Sequence, residues 1–270
     1  MTPWQELARW LTRAPAVLVR VAKVEGSGPR EVGAWMAVSA SGLIGTIGGG
    51  QLEHEAMAEA RAGLASGRVL QAQRRVALGP SLGQCCGGVV HLSFDWLDAA
   101  HIGSLRERLS TEGQWAPVAL FGGGHVGRAL MEVLTRLPMR LHWVDSREEI
   151  FPAGLPERVH TEHSEPVQGA VPGLAPGSRV LIMSFSHAED LDILAACLRR
   201  RREHADLPFI GLIGSRSKWA KFQARLRERG FSEAELAAVH CPIGLPGIAG
   251  KQPEVIAIAV AAQLLSLPPA

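Results

Sequence analysis

Two different patterns of apolar and polar positions divide the chain near residue 110. Before that point, apolar segments with polar breaks are typical of strands packed around one helix. They predict strands over 17–24, 68–78 and 89–97, a hairpin over 34–47 that turns at Ser41-Gly42, and a helix over 52–67. After it, short apolar strands alternate with helices, and an apolar helix follows; the strands are 117–121, 140–145, 179–185 and 208–214, and the helix is 254–265.

Alternation of strand and helix predicts a parallel, doubly wound sheet in the second half. We therefore predict an α/β protein with two domains: a mixed α/β domain over 1–110 and a Rossmann-like domain over 111–270. The segment MTPWQELARWLTRAP predicts an amphipathic helix that is not a signal peptide, because Glu6 and Arg9 interrupt the apolar positions. We expect Trp4, Trp10 and the apolar helix 254–265 to be exposed and to favour a homodimer.

Composition narrows the classes of function. The chain has 270 residues, a net charge of +2, no tyrosine and 5% aromatic residues, which does not favour nucleic-acid binding. The longest apolar stretch, over 255–265, is too short to span a membrane. Four cysteines lack the density and spacing of a disulfide scaffold. We expect a cytoplasmic protein with reduced thiols.

The second domain contains the spacing G-x-G-x-x-G, formed by Gly122, Gly124 and Gly127. This loop follows a strand and begins a helix, so its backbone and the helix N-terminus can face a phosphate. Asp145 ends the next strand, where a carboxylate would meet a ribose 2′-hydroxyl. His125 in the loop and Arg147 after Asp145 leave the ligand open between NAD(P), another nucleotide and no ligand, because a fold does not fix a function.

A second glycine-rich loop in the first domain consists of Gly48, Gly49 and Gly50, followed by Gln51. It also lies between a strand and a helix, and we expect its N–H groups at 48–51 to be free to hold an oxyanion. Just upstream, Arg30 in the segment GSGPRE is a candidate anion clamp. The alternatives are a tight turn without ligand and an ordinary surface charge.

The segment LGQCCGG contains Gln84, Cys85, Cys86 and Gly87. Two thiols beside glycines suit sulfur, metal or redox chemistry. The alternative is that both cysteines are small buried apolar residues. One small cofactor in a cleft between the two halves would explain all three glycine-rich loops together.

Taken together, six segments resemble the xanthine dehydrogenase accessory protein family (XdhC/CoxI-like): GSGPREVGAWMAV, GTIGGGQLE, LGPSLGQCCGG, FGGGHVGRAL, FIGLIGSRSKWAKF and CPIGLPGIAGKQPEVIAIAVAAQLL. The resemblance spans nearly the whole chain. It implies an XdhC/CoxI-type domain followed by a Rossmann domain, in a chaperone that holds the molybdenum cofactor (molybdopterin). It further implies that a cysteine desulfurase sulfurates the cofactor, which then passes to the xanthine dehydrogenase apo-enzyme.

The resemblance also assigns residues. It places Gln84, Cys85 and Cys86 near the molybdenum or its dithiolene, with the two thiols as metal ligands, and matches Gly48–Gly50 to a second signature. Gln51 stands where relatives often carry cysteine, and Phe185 where they often carry histidine, beside His187. Lys251 belongs to the C-terminal signature and is a candidate for the cofactor phosphate.

Two other functions remain open on the residues alone. The first is an NAD(P)-dependent oxidoreductase built on the GGGHVG loop and Asp145. A recognisable general acid–base pair is missing from the sequence, which counts against it, and we assign no catalytic residue. The second is a thiol switch at Cys85-Cys86, although adjacent cysteines form strained disulfides poorly.

Overall fold

The computed structural model describes residues 2–68, 72–79, 87–109 and 115–268. The chain folds into two compact units, Met1–Ser110 and Thr111–Ala270. The predicted contacts of Gln84, Cys85 and Cys86 lie outside the described residues. Among the described residues, no helix is both long and apolar enough to cross a membrane.

The first unit contains an antiparallel sheet of five strands in the order β3-β2-β1-β5-β4. Its helices and strands in chain order are α1 (Pro3–Leu11), β1 (Ala16–Glu25), β2 (Trp35–Val38), β3 (Leu43–Gly45), α2 (Gly50–Ser66), β4 (Gln73–Ala77), β5 (Val89–Leu97) and α3 (Leu105–Leu109). A 3₁₀ helix, Ala99–Ser104, precedes α3.

Both faces of this sheet are covered, because β1 begins with a continuous run of apolar residues. Val17, Val19 and Val21 pack on one face with α2, whereas Ala16 and Leu18 pack on the other with α1 and α3. Alternate side chains of a strand point to opposite faces, so one apolar strand can serve two cores. The strand β1 therefore lies at the centre of the unit.

The prediction that the two tryptophans of α1 are exposed is wrong. Trp4 and Trp10 are partly buried against the cluster that contains Leu7 and Leu11 of the same helix. The apolar side of α1 thus completes the core of its own unit, and it gives no support to a dimer interface. The homodimer stays a prediction.

The second unit contains a parallel sheet of six strands in the order β11-β10-β9-β6-β7-β8. Its helices and strands in chain order are β6 (Ala116–Phe121), α4 (His125–Leu134), β7 (Met139–Asp145), β8 (Val159–His163), β9 (Arg179–Ile182), α5 (His187–His204), β10 (Phe209–Leu212), α6 (Arg216–Glu228), α7 (Glu233–Ala237), β11 (Val239–His240) and α8 (Pro253–Ser266). Helices α5 and α6 cover one face, and α4 and α8 cover the other. The α/β class and the doubly wound, Rossmann-like sheet are confirmed.

Two strands of this sheet were not predicted. The strand β8 reads VHTEH, and β11 has only two residues. Neither carries an apolar run, because each lies at an edge of the sheet. The helix α8 packs Ala257, Val260 and Leu264 into the core but leaves Ile258 and Leu265 more than half exposed.

Candidate functional site

Three loops leave the same end of the first unit's sheet. Strand β1 ends at Glu25, which pairs with Val89, the first residue of the antiparallel strand β5. Strand β3 ends at Gly45, which pairs with Met36 near the start of β2. The segments 26–31, 46–51 and 87–88 therefore emerge together; we call them the N-terminal loop cluster.

Two glycines of this cluster lie in close contact with segment 26–31. A Cβ atom on Gly48 would lie 2.6 Å from Cβ of Pro29 and 3.5 Å from Cγ of Arg30. A Cβ atom on Gly88 would lie 2.2 Å from the carbonyl oxygen of Ser27. Segment 26–31 thus touches both glycine-rich segments, and the structure brings the predicted residues Arg30 and Gly48 together.

The glycine loop presents bare main chain to solvent. Gly48, Gly49 and Gly50 have φ angles of +124°, +73° and +63°. A side chain in the left-handed region costs about 1–2 kcal/mol per residue, so three in succession require glycine. A Cβ atom on Gly49 would have nothing within 4 Å. The backbone there is open to close approach by a ligand.

Part of the predicted anion site is occupied by the protein's own carboxylate. Glu53 accepts hydrogen bonds from the N–H groups of Ile47 and Gly49, at 3.0 and 3.2 Å. The N–H of Gly48 donates to Thr46 Oγ1 at 3.1 Å. The expectation that all N–H groups at 48–51 are free is therefore wrong for Gly48 and Gly49.

The first two N–H groups of α2 differ from these. Among the described residues, nothing accepts a hydrogen bond from the main chain of Gly50 or Gln51. Both residues are exposed in the first turn of the helix, where N–H groups point outward and the helix dipole favours an anion. The side chain of Gln51 instead donates to Glu55 at 3.1 Å.

The guanidinium of Arg30 forms an exposed ion pair whose carboxylate partner can be replaced. It makes two hydrogen bonds to Glu31, at 3.0 and 2.8 Å, which lower the pKa of Glu31 to about 2. The side chains are 38% and 69% exposed. An exposed ion pair contributes only about 0–1 kcal/mol, so an incoming anion can replace Glu31.

The second unit offers a crevice where the order of the strands reverses. Strands β6 and β9 are neighbours, and the chain continues from them toward opposite sides of the sheet. Ligands of such sheets bind at the carboxyl ends of these two strands. Gly122 begins the turn after β6, and a Cβ atom on it would lie 2.0 Å from the carbonyl oxygen of Met183 after β9. Gly127 is equally constrained, because its Cβ would lie 2.1 Å from the carbonyl oxygen of Gly122.

Asp145 supports this loop from within the protein. Its side chain is 1% exposed and accepts a hydrogen bond from the N–H of Gly123 at 2.6 Å. Arg147 donates three more, from its main chain, Nε and a terminal nitrogen, at 2.8 to 2.9 Å. Burial raises the pKa of Asp145, but these hydrogen bonds outweigh it and hold the pKa below its usual value. A ribose hydroxyl would have to displace Arg147 to reach this carboxylate.

Several exposed groups lie in the segments that follow the strands of this sheet. His125 and His187 are exposed in the first turns of α4 and α5, and Gly124 is exposed beside His125. The guanidinium carbon of Arg147 lies 4.7 Å from the ring centre of Phe185, which is 67% exposed. Lys251 is also exposed and lies in the loop that leads into α8.

A buried ion pair also lies at the carboxyl ends of the strands, in the helices that follow β9 and β10. Asp190 and Lys218 join at 2.6 Å, with side chains 3% and 11% exposed. Cys241 lies beside Lys218, and burial raises the pKa of this thiol to about 11. The sequence shows Asp190 and Lys218 only as isolated polar residues at helix starts, so nothing local predicts their contact.

Two parts of the chain match known families: residues 118–264 match the XdhC Rossmann domain, and residues 10–74 match the XdhC and CoxI family. The uncharacterized protein YqeB of Escherichia coli strain K12 is 29% identical over 257 residues, which cover 94% of this chain and 43% of YqeB. The chain thus spans less than half the length of this curated relative.

A solved structure shares the fold. A protein from Bacillus halodurans, described as a xanthine dehydrogenase (BH1974), superposes with a TM-score of 0.74 and is 20% identical. The match covers 98% of this chain and 95% of that one. At this level of identity, the likeness concerns the fold alone.

Proposed function

Because the chain belongs to the XdhC and CoxI family, we propose that it is an accessory protein that binds the molybdenum cofactor and delivers it to a molybdenum hydroxylase. In the full proposal, the recipient is a xanthine dehydrogenase apo-enzyme, and a cysteine desulfurase sulfurates the bound cofactor before delivery. The cofactor is the cargo of this protein, and the protein itself turns over no substrate.

The observation that carries the proposal is the N-terminal loop cluster. The cofactor combines a phosphate, a pterin ring with amide-like donors and acceptors, and a sulfur-bound metal. The cluster offers a cation at Arg30, outward N–H groups at Gly50 and Gln51, and exposed main chain at Gly48 and Gly50. A helix N-terminus beside a guanidinium suits a phosphate, and bare glycine backbone suits a flat polar ring.

The two cysteines are included in this proposal because of their position in the sequence. Cys85 and Cys86 directly precede Gly87, which belongs to the cluster. We assign these thiols and Gln84 to the molybdenum end of the cargo, because thiolates bind soft metals. The phosphate end falls to Arg30 and the start of α2.

We assign the crevice of the second unit to a nucleotide. Its glycine loop, with His125 and His187 exposed beside it, provides the surface, and Lys251 is assigned to a phosphate. Asp145 positions the loop through Gly123. Its pairing with Arg147 disfavours the oxidoreductase alternative, in which Asp145 binds a ribose.

The test uses the full chain purified from a host that makes the cofactor. Molybdenum is measured by mass spectrometry and the pterin by fluorescence after oxidation. We expect both to copurify, and we expect Arg30→Ala to weaken rebinding of the cofactor about tenfold, since a hydrogen bond to a charged group contributes about 1.5–3 kcal/mol. Cys85→Ser/Cys86→Ser should lower the molybdenum content.

The matched control is Arg61→Ala, an exposed arginine toward the other end of α2. It should bind the cofactor like the parent protein. Absence of the cofactor from the parent, or equal binding by Arg30→Ala and Arg61→Ala together with full molybdenum content in the cysteine variant, would contradict the proposal. Micromolar binding of NADH or NADPH without any molybdenum cofactor would favour the oxidoreductase instead.

A further inference from the structure

Two histidines and a glutamate form a cluster on the second unit's sheet that shares no residue with the two sites above. His142 lies on β7 and pairs directly with His160 on the parallel strand β8. Glu162 lies two residues beyond His160, so both side chains leave β8 on the same face. Strand pairing therefore collects three metal-ligating side chains on one face of the sheet.

The ligand atoms are already close together. One nitrogen of each histidine and one oxygen of Glu162 all lie within 4.8 Å of one another. His142 Nε2 lies 2.8 Å from the carboxylate, and the two imidazole rings are 4.7 Å apart. Tetrahedral ligands at about 2.0–2.1 Å from a zinc ion are about 3.3 Å from each other. Small side-chain rotations would bring all three atoms to that spacing.

The three side chains are buried to different degrees. The side chain of His142 is 20% exposed. Glu162 is 34% exposed and His160 is exposed on the edge strand, so an ion can reach the cluster from solvent.

The cluster lines a cavity of about 470 Å³, which leaves room for further ligands. The same cavity is lined by Pro117 and Ser178, which lie at the amino ends of β6 and β9. The cavity therefore extends to the amino ends of these strands, whereas Gly122 follows the carboxyl end of β6. Arg140 and Arg158 also line the cavity, and their charge favours an anion at any open coordination position.

We propose that His142, His160 and Glu162 bind a divalent transition-metal ion of the zinc type. Two imidazoles and one carboxylate are a set that binds zinc and leaves a fourth position open. That position faces the cavity, where water or a small oxyanion completes the coordination. The site is separate from the N-terminal loop cluster and does not depend on the proposed cargo.

The test measures Zn²⁺ binding to the full chain after chelator treatment. The protein carries Cys85→Ser/Cys86→Ser, so that those thiols add no second metal site. Calorimetry should show saturable binding of one equivalent, and Co²⁺ should give the visible absorption of a low-coordinate ion. We expect His142→Ala, His160→Ala and Glu162→Gln each to weaken binding by about tenfold or more.

The matched control is His163→Ala. His163 follows Glu162 on β8, and its ring contacts the carbonyl oxygen of Ser146 instead of the cluster. It should bind Zn²⁺ like the parent. Because His160 is exposed, His160→Ala leaves the core intact and keeps the test valid if His142→Ala fails to fold. Absence of saturable binding, or unchanged binding in His160→Ala and Glu162→Gln, would overturn the proposal.

Discussion

Loss of the buried charge at Asp190 should destabilise the second unit strongly. Asp190 Oδ1 accepts hydrogen bonds from the N–H and Oγ of Ser184, at 2.8 and 2.7 Å, and Oδ2 accepts one from Lys218 at 2.6 Å. Lys218 also donates to the carbonyl oxygen of Ile213 at 2.8 Å. One carboxylate thus joins the segments that follow β9 and β10. The change Asp190→Asn removes its charge and keeps its shape.

The magnitude follows from burial. The side chains of Asp190 and Lys218 are 3% and 11% exposed, so the variant leaves an ammonium in the interior without a counter-charge. Removing one partner of a buried pair costs about 3–5 kcal/mol. Domain stabilities are about 5–15 kcal/mol, so the loss is a large part of the total free energy of unfolding.

The same helix provides a control. Asp192 pairs with Arg229 at 2.8 Å, but these side chains are 42% and 38% exposed. Asp192→Asn should cost at most about 1 kcal/mol, since solvent screens an exposed pair. Both variants change an aspartate to asparagine on α5, and they differ in burial.

The assay is a urea titration in which unfolding is monitored by hydrogen exchange of peptides from β9 and β10. These peptides report on the second unit alone. Adding Lys218→Met to Asp190→Asn should restore part of the loss, because the uncompensated charge is removed. If the free energies of unfolding of Asp190→Asn and Asp192→Asn differ by less than about 0.5 kcal/mol, the reasoning from burial is refuted.

Three further predictions concern the second unit. Gly122→Ala places a Cβ 2.0 Å from a neighbouring carbonyl oxygen at a φ of +121°, so it should lower the free energy of unfolding by about 2 kcal/mol or more, whereas Gly124→Ala, with nothing within 4 Å, should be nearly neutral in the same urea titration. The folded pKa of Asp145 lies below its unfolded value, so its stabilisation is present above about pH 4 and is lost as the pH falls through the folded pKa. The stability difference between the parent and Asp145→Asn should therefore shrink from pH 5 to pH 2, and a constant difference would contradict this. Burial raises the pKa of Cys197 to about 12, so iodoacetamide at pH 8 should leave this thiol unmodified in the folded protein, as judged by peptide mass spectrometry; rapid labelling would show that the helix opens.

Much of the second unit could be predicted from local patterns. Short apolar strands followed by helices specify a parallel sheet, and the glycines at 122 and 127 mark the turn after its first strand. The residues that were missed lie where local pattern is weak. The edge strand VHTEH has a single apolar residue, because its neighbour and not its own hydrophobicity holds it in the sheet.

For the same reason, the cluster of His142, His160 and Glu162 could not be read from the sequence. Its three side chains meet only through the register of two strands that are separated along the chain. The sequence also did not determine which N–H groups of the glycine loop at 48–51 are hydrogen-bonded within the protein. Which N–H groups at 48–51 stay available depends on three successive positive φ angles and on the position of Glu53.

The sequence by itself determined the α/β class, the parallel sheet of the second unit and the segments where glycine is required. These features follow from periodicity along the chain and from the steric freedom of glycine, and both act over a few residues. The tertiary structure alone decided that Arg30 lies against Gly48, that Asp145 is held by Arg147, and that the tryptophans of α1 are partly buried against the core of their own unit. Those outcomes depend on which of several available partners each group meets, and the packing of the whole unit selects that partner.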